Sequence, residues 1–451
     1  MSDSQLFGSS GIRGDAASFF TNQLCFDLGR SFALFLKKHN LHGAVAVGMD
    51  PRESSPRIKS AFIQGVLAEK FSVLDEGIIP IPAVNWVLRA DKDIVGSIMV
   101  TGSHIKAHLN GLKFFAFDDE ILKEHEREIQ TIYNQQKNLF SYKEAPSNKA
   151  NLIAAGNHSK DYISYILAKA EPTNRQLKIV VDAGNGAQSI IAPEILRKLG
   201  HNVITMYTNT NDTLLSRDTE VSGDFIELQK RVKAEKADLG IGFDSDGDRI
   251  IFIDENAEFI PGDYSGALIA KHYDTDSIVT PINTSQVVDH LGKPVYRTKV
   301  GSPYVVGKMK EVKARFGFEA NGGGIFSDMY SRDGGRSMIE FLDLLQLKNK
   351  TASELMHELP RFYIERDKID YDPEKKAEII KKAKEQFSGS KFEELDGLKI
   401  WVNSTTWILF RSSANAPEFR IFTESDKEDV AKELLKRGME LITKYKIAET
   451  V

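Results

Sequence analysis

The chain has 451 residues, 41% of them hydrophobic and 27% charged, which suits about two to four globular domains with sizeable cores. A formal net charge of −5, from 59 basic and 64 acidic residues, excludes a general nucleic-acid binder but leaves room for a local basic cleft around an anionic substrate. The single cysteine, Cys25, excludes intramolecular disulfides and cysteine-rich zinc sites.

The N-terminus lacks a basic-then-apolar signal pattern, and no apolar run approaches the roughly 20 residues that span a bilayer, so no membrane association and a cytoplasmic location are expected. Apolar residues at Leu24, Leu28, Phe32 and Phe35 mark Asn22 to Lys37 as a helix, with Cys25 as a buried thiol. Strand-like runs follow at Ala44 to Val47, Ile94 to Val100, Lys178 to Val181, Ala237 to Phe243 and Ile250 to Ile253. Their alternation with helical stretches argues for α/β units. Polar stretches near residues 134–151 and 361–372, and the turn Asp254-Glu255-Asn256, are candidate boundaries. The C-terminal part reads as a small α+β domain. Strands are expected at Leu398 to Val402, Trp407 to Phe410 and Phe419 to Phe422, then a helix with Ser425 and Glu428 as a capping box.

Ser103 follows the run Ile94 to Val100, where a parallel sheet presents ligand loops; Lys113 comes ten residues on, behind the turn Asn110-Gly111. A serine there is either a nucleophile or a turn residue bonding its own backbone. Asp244-Ser245-Asp246-Gly247-Asp248-Arg249 alternates three carboxylates around a glycine between two strand runs. Such a loop converges on a hard cation such as Mg²⁺. It is not a calcium EF-hand, because Arg249 stands where that loop needs glycine. Lys299 precedes Gly301, and Glu319 and Asn321 lead a glycine run, offering donors and acceptors to a hydroxyl-rich ligand. Arg411, Ser413, Asn415 and Arg420 suit a phosphate oxyanion.

These motifs in this order resemble the α-D-phosphohexomutase superfamily, most closely its archaeal-type phosphomannomutase/phosphoglucomutase members. Leu6 to Gly14, Gly48-Met49-Asp50-Pro51-Arg52, Gly77 to Ala83 and Asp182 to Ala187 are similar to further family segments. The resemblance implies three similar α/β domains with mixed sheets and a small C-terminal α+β domain around a central cleft. The boundaries are expected at 1–148, 149–253, 254–362 and 363–451. It also implies an isomerase-type intramolecular phosphotransferase. Phosphorylated Ser103 would exchange its phosphoryl group with a mannose or glucose phosphate through a hexose 1,6-bisphosphate, which also serves as primer. Mg²⁺ would lie on Asp244, Asp246, Asp248 and Ser103. Arg13, Lys113 and Arg249 would add positive charge, and His104 or Lys113 would take the hydroxyl proton. Glu319, Asn321 and Lys299 would read the sugar; Arg411, Ser413, Asn415 and Arg420 would clamp the distant phosphate. The hexose phosphate would be the only partner expected beyond a monomer or homodimer.

The chain departs from the family in three places. Gly102-Ser103-His104-Ile105-Lys106 replaces Ala-Ser-His-Asn-Pro, and Ser413-Ala414-Asn415-Ala416-Pro417 replaces Ser-x-Thr-Glu-Pro. Asn321 stands where many bacterial relatives have serine. A phosphoglucosamine mutase, a non-catalytic sugar-phosphate binder and a slow metal-dependent phosphatase are the alternatives.

Overall fold

The computed structural model describes residues 6–8, 11–142, 152–154, 158–413 and 418–446. Four sheets organise them. The first runs, edge to edge, Ile12–Asp15, Leu109–Ala116, Ile94–Val100, Ala44–Met49, Ser72–Ile78 and Leu152–Ala154. The second runs Phe259–Ile260, Ile250–Ile253, Leu239–Phe243, Lys178–Asp182 and Asn202–Met206. The third, written in the matching direction, runs Arg332–Asp333, Gly324–Phe326, Phe316–Phe318, Ile278–Pro281 and Val295–Thr298.

The three share one topology. A central strand lies parallel to its neighbours on one side, then turns back into an antiparallel return strand on the other. The three turnings are the loops holding Ser103, the alternating aspartates and Glu319. Parallel strands need helical crossovers, which explains the alternation read from the sequence. The fourth sheet is wholly antiparallel: Tyr363–Asp370, Glu418–Ser425, Trp407–Ser412, Leu398–Trp401 and Lys391–Glu393.

The first helix, Asn22–Lys38, starts at Thr21, whose hydroxyl accepts from the Leu24 amide, and lays Cys25, Leu28, Phe32 and Phe35 into the first core. A second apolar core runs without a break from Ala46 through Ile179 and Ile241 to Phe341, so the first three domains are packed into one body. The fourth domain has its own core and meets the third through a small cluster of Ile282, Trp407, Leu409 and Phe422.

Several local expectations are corrected. Ser425 ends the strand Glu418–Ser425, where its hydroxyl pairs with Thr406 at 3.0 Å; Lys427 caps the last helix, Glu428–Thr443, and no capping box forms. The turn at Asp254 is a hairpin inside the second sheet, closed by the Asp254 amide on the Glu258 carbonyl, and carries that sheet to Ile260. The polar stretch at 361–372 is largely the strand Tyr363–Asp370, which forms an edge of the fourth sheet among the described residues. Leu152–Ala154 belongs to the first sheet and lies beyond residue 148.

Cys25 is fully buried, and burial pushes its thiol up to about 12. It should therefore resist a disulfide reagent at pH 8 in the native protein and release one thiol equivalent after denaturation, read by absorbance. Rapid native labelling would contradict this packing.

Candidate active site

The serine loop begins where Ile94–Val100 ends. Ser103 is buried and adopts φ of 52°, a left-handed conformation that costs a non-glycine residue about 1–3 kcal/mol. The surroundings hold it there. Its amide donates to Thr101 Oγ1 at 2.7 Å, and its carbonyl accepts from Arg52 Nη2. Arg52 also donates to the carbonyls of Ile105 (3.0 Å), Lys106 (3.0 Å) and Leu109 (3.3 Å). Asp50 in turn anchors Arg52 Nε at 3.0 Å, the Gly102 amide at 3.2 Å and Thr101 Oγ1 at 2.7 Å. A guanidinium with a planar fork of donors is suited to gathering several carbonyls at once. Gly102 is required by this clamp: a Cβ there would lie 2.4 Å from Arg52 Cζ.

The aspartate loop faces the serine. Ser103 Oγ donates to Asp244 Oδ2 at 2.9 Å and lies 3.4 Å from His104 Nδ1. Asp244 Oδ1 accepts the amides of Gly247 and Arg249 at 3.1 and 3.2 Å, fixing the tight turn. Gly247, with φ of 70°, provides the turn. Lys113, on the return strand, reaches Asp246 Oδ2 at 3.2 Å and Asp248 Oδ2 at 3.3 Å. Arg249 Nε lies 3.8 Å from Asp244 and 4.0 Å from Asp248, and Arg13 Nη1 donates to the Thr101 carbonyl.

Burial, reinforced by Asp246 and Asp248, pushes the Asp244 carboxyl well above its usual range. Burial would raise Asp248 too, but Arg332, Lys113 and Arg249 outweigh it and hold Asp248 well below that range. Burial, then the charges of Arg249 and Arg13, hold the His104 imidazole far below its usual value, so it is neutral at pH 7.

The donor set fits a hard divalent cation. One oxygen from each of Asp244, Asp246 and Asp248 lies within 4.8 Å of the others. Among the described residues, Asp246 Oδ1 and Asp248 Oδ1 are buried with no hydrogen-bond partner. Buried carboxylate oxygens left unpaired are costly unless a cation takes them.

Arg332 joins this loop to the loop of Glu319 and Asn321. Its Nη2 donates to Asp248 at 2.7 Å, and its Nη1 to Glu319 Oε2 at 2.6 Å and Asn321 Oδ1 at 3.3 Å. Glu319 Oε1 accepts the Gly301 amide at 3.1 Å. Glu319 is buried and half of its acceptor capacity is already used, whereas Lys299 is exposed. Farther along, Asp396 Oδ2 binds both the Val300 amide at 3.0 Å and Arg411 Nε at 2.7 Å. Arg420 pairs with Glu418 at 2.9 Å, and the Ser413 amide donates to the Glu418 carbonyl at 2.8 Å. Asn415 lies outside the described residues. Ser103, His104, Lys113, Arg13, Arg249 and the three aspartates thus form one cluster. Glu319 and Asn321 join it through Arg332, and Lys299 and Arg411 follow through Gly301, Val300 and Asp396.

Comparison with known proteins agrees with this geometry. Three models described as phosphoglucomutase/phosphomannomutase alpha/beta/alpha domains I, II and III match residues 4–140, 160–258 and 261–363. The chain belongs to the α-D-phosphohexomutase superfamily. It is 32% identical over 457 residues to a phosphoglucomutase/phosphomannomutase of Thermococcus kodakarensis, covering 97% of this chain and 98% of that one. It is also 32% identical over 446 residues to a probable phosphoglucosamine mutase of Methanocella arvoryzae, again covering 97% and 98%. The crystal structure of a phosphoglucomutase/phosphomannomutase family protein from Burkholderia thailandensis superposes with a TM-score of 0.83 at 22% identity, over 99% of this chain and 98% of that one. Members of this superfamily are isomerase-type phosphotransferases that use a metal ion, and the acidic triad here offers such an ion a site. No helix among the described residues is long and apolar enough to cross a membrane.

Two parts of this phosphohexomutase site carried no assigned role in the sequence reading. Asp50 and Arg52 lay in a recognised family segment, yet their partners are half a domain away. Arg332 was signalled only by the turn-like run Arg332-Asp333-Gly334-Gly335.

Gly102→Ala should disturb the Arg52 clamp, costing about 1–3 kcal/mol of stability and lowering phosphorylation of Ser103, read by thermal melting and intact mass. Asp248→Asn should weaken Mn²⁺ binding at least about tenfold, measured by electron paramagnetic resonance of free Mn²⁺. Unchanged Mn²⁺ affinity would place the metal elsewhere.

Proposed function

We propose that the chain is a phosphohexomutase that interconverts hexose 1-phosphate and hexose 6-phosphate, of mannose or glucose, through phosphorylated Ser103 and a hexose 1,6-bisphosphate. The observation that carries this reading is the buried Ser103 hydroxyl on Asp244, inside a cluster lined by Lys113, Arg249 and Arg13. A phosphoryl group there meets fixed positive charge in a nearly dry site, where electrostatic stabilisation is strongest.

In the first transfer the bond from phosphorus to Ser103 Oγ breaks as a bond to the sugar hydroxyl oxygen forms. His104 is the group we assign to take the hydroxyl proton and pass it to the departing Ser103 Oγ: it is neutral at pH 7 and 3.4 Å from that oxygen. Lys113, by contrast, has its ammonium engaged by Asp246 and Asp248. Asp244, Asp246, Asp248 and a phosphoryl oxygen on Ser103 would hold Mg²⁺, whose contribution is neutralisation of phosphoryl charge. The bisphosphate then turns within the cleft and returns its other phosphoryl group to Ser103, the bond from phosphorus to the sugar oxygen breaking as His104 carries the Ser103 hydroxyl proton to that oxygen. Arg411, Ser413, Asn415 and Arg420 would hold the phosphate at the far end, and Lys299, Glu319 and Asn321 the sugar hydroxyls. The same proposal takes the protein as a cytoplasmic monomer or homodimer, with the hexose phosphate as its partner and the bisphosphate as primer.

Phosphoglucosamine mutase is the second reading. It is favoured by the equal similarity to a relative of that name and by Asn321 in the sugar loop.

A coupled assay on mannose, glucose and glucosamine 1-phosphates, with Mg²⁺ and a hexose 1,6-bisphosphate primer, tests both. Turnover on mannose or glucose phosphate should fall at least about 10³-fold in Ser103→Ala. Faster turnover of the glucosamine phosphate would move the assignment to the second reading. Activity that survives Ser103→Ala would overturn the phosphoserine route.

A further inference from the structure

Arg411 and Arg420 stand directly opposite each other on neighbouring antiparallel strands. Opposed residues project from the same face of a sheet, and like charges placed so are mutually destabilising. Each arginine here has its own carboxylate. Asp396 Oδ2 takes Arg411 Nε at 2.7 Å, and Glu418 Oε2 takes Arg420 Nε at 3.2 Å and Nη2 at 2.9 Å. Glu418 Oε1 also takes Lys368 Nζ at 2.7 Å, so the two carboxylates offset part, not all, of the positive charge on this face. The same Asp396 oxygen also accepts the Val300 amide at 3.0 Å.

Val300 lies in a junction of three domains. The next residue, Gly301, donates its amide to Glu319 in the sugar loop at 3.1 Å. Ser302 then donates to Glu120 of the first domain at 3.0 Å. Gly301 has φ of 133°, so the backbone path through the junction depends on glycine.

We propose that Asp396, supported by Glu418, is a built-in counter-anion of the phosphate clamp, holding its grip weak enough for a bisphosphate to leave it and turn around. This rests on the mutase reading, in which each end of the sugar must enter and quit the clamp during one cycle. Two bare arginines would hold a phosphate dianion strongly. Binding of that kind deepens the intermediate without helping the transfer and makes its reorientation slow. A carboxylate already on Arg411 raises the free energy of the bound phosphate by repulsion. Through its shared oxygen, the same carboxylate ties the clamp to the loop that carries Lys299.

Asp396→Asn tests the proposal, because the amide oxygen still accepts from Val300 and Arg411 while the charge is gone. Inorganic phosphate should bind the full-length variant about tenfold tighter by calorimetry, the scale expected for removing one nearby like charge at a partly exposed site. KM for hexose 1-phosphate and kcat should fall together, leaving kcat/KM nearly unchanged. Glu418→Gln should move phosphate affinity in the same direction, and decides the matter alone if the first variant does not fold. Unchanged or weaker phosphate binding in the folded variants would overturn the counter-anion role. Tighter phosphate binding in a protein without mutase turnover would preserve it and count against the mutase reading instead.

Discussion

Three carboxylates buried within 4.8 Å of one another set the terms for the rest of this molecule. Burying one carboxylate alone is expensive, and three together repel as well. The cations that compensate come from three places: Lys113 from the first sheet, Arg249 from the loop itself and Arg332 from the third sheet. The first and third domains cannot separate from the second without stranding charge. The electrostatic demand of the aspartate loop therefore fixes the serine loop on one side and the Glu319 loop on the other. The continuous apolar core across the same three domains supports this arrangement, and the fourth domain, with its own core, meets the third through a smaller apolar cluster and through polar contacts such as Glu424 with Ser285 and Gln286.

The repeated topology explains why those loops meet. In each of the first three sheets the site loop is the turning from a parallel strand into an antiparallel return strand. The carboxyl ends of parallel strands are where ligand-binding loops gather, because the connection there leaves the sheet. Three copies around one centre deliver a serine, three aspartates and Glu319 to it. The repeat is one of topology: the loops differ in length and chemistry, and the apolar strands are too short and too similar in pattern to mark a period in the sequence.

What could be read from the sequence was local chemistry. The aspartate loop, Ser103 and Lys113 announce themselves through spacing within a few residues, and their strands through apolar runs. The supporting residues do not. Arg52 is 51 positions from Ser103, Arg332 is 84 from Asp248, and Asp396 is 96 from Val300. An isolated arginine or aspartate in a polar turn looks like a solvated surface residue until the fold closes over it. Ser425 failed in the opposite way. Its spacing to Glu428 suited a cap, but pairing with Thr406 across the sheet drew it into the strand. Arg411 and Arg420 were legible only as residue types; the carboxylates that pair with them come from a turn before the sheet's inner strand and from the return strand.

The altered serine loop shows how such distant support makes a departure from a family pattern tolerable. Ile105 and Lys106 replace an asparagine and a proline expected by resemblance, yet the loop is gripped through backbone carbonyls, at Ser103, Ile105, Lys106 and Leu109, all by Arg52. A backbone grip is indifferent to which side chains those positions carry, provided the carbonyls still point inward. The constraint moves instead to the residue that lies against the guanidinium. A Cβ at Gly102 would lie 2.4 Å from Arg52 Cζ, so alanine there would require the Arg52 guanidinium to shift. Left-handed Ser103 is held by the same guanidinium and by Thr101, and Asp50 joins both to the metal loop's neighbour through Thr101, whose hydroxyl also lies 3.1 Å from Asp246. The position of the Ser103 hydroxyl is thus set by Asp50, Arg52 and Thr101, acting through the backbone of its loop.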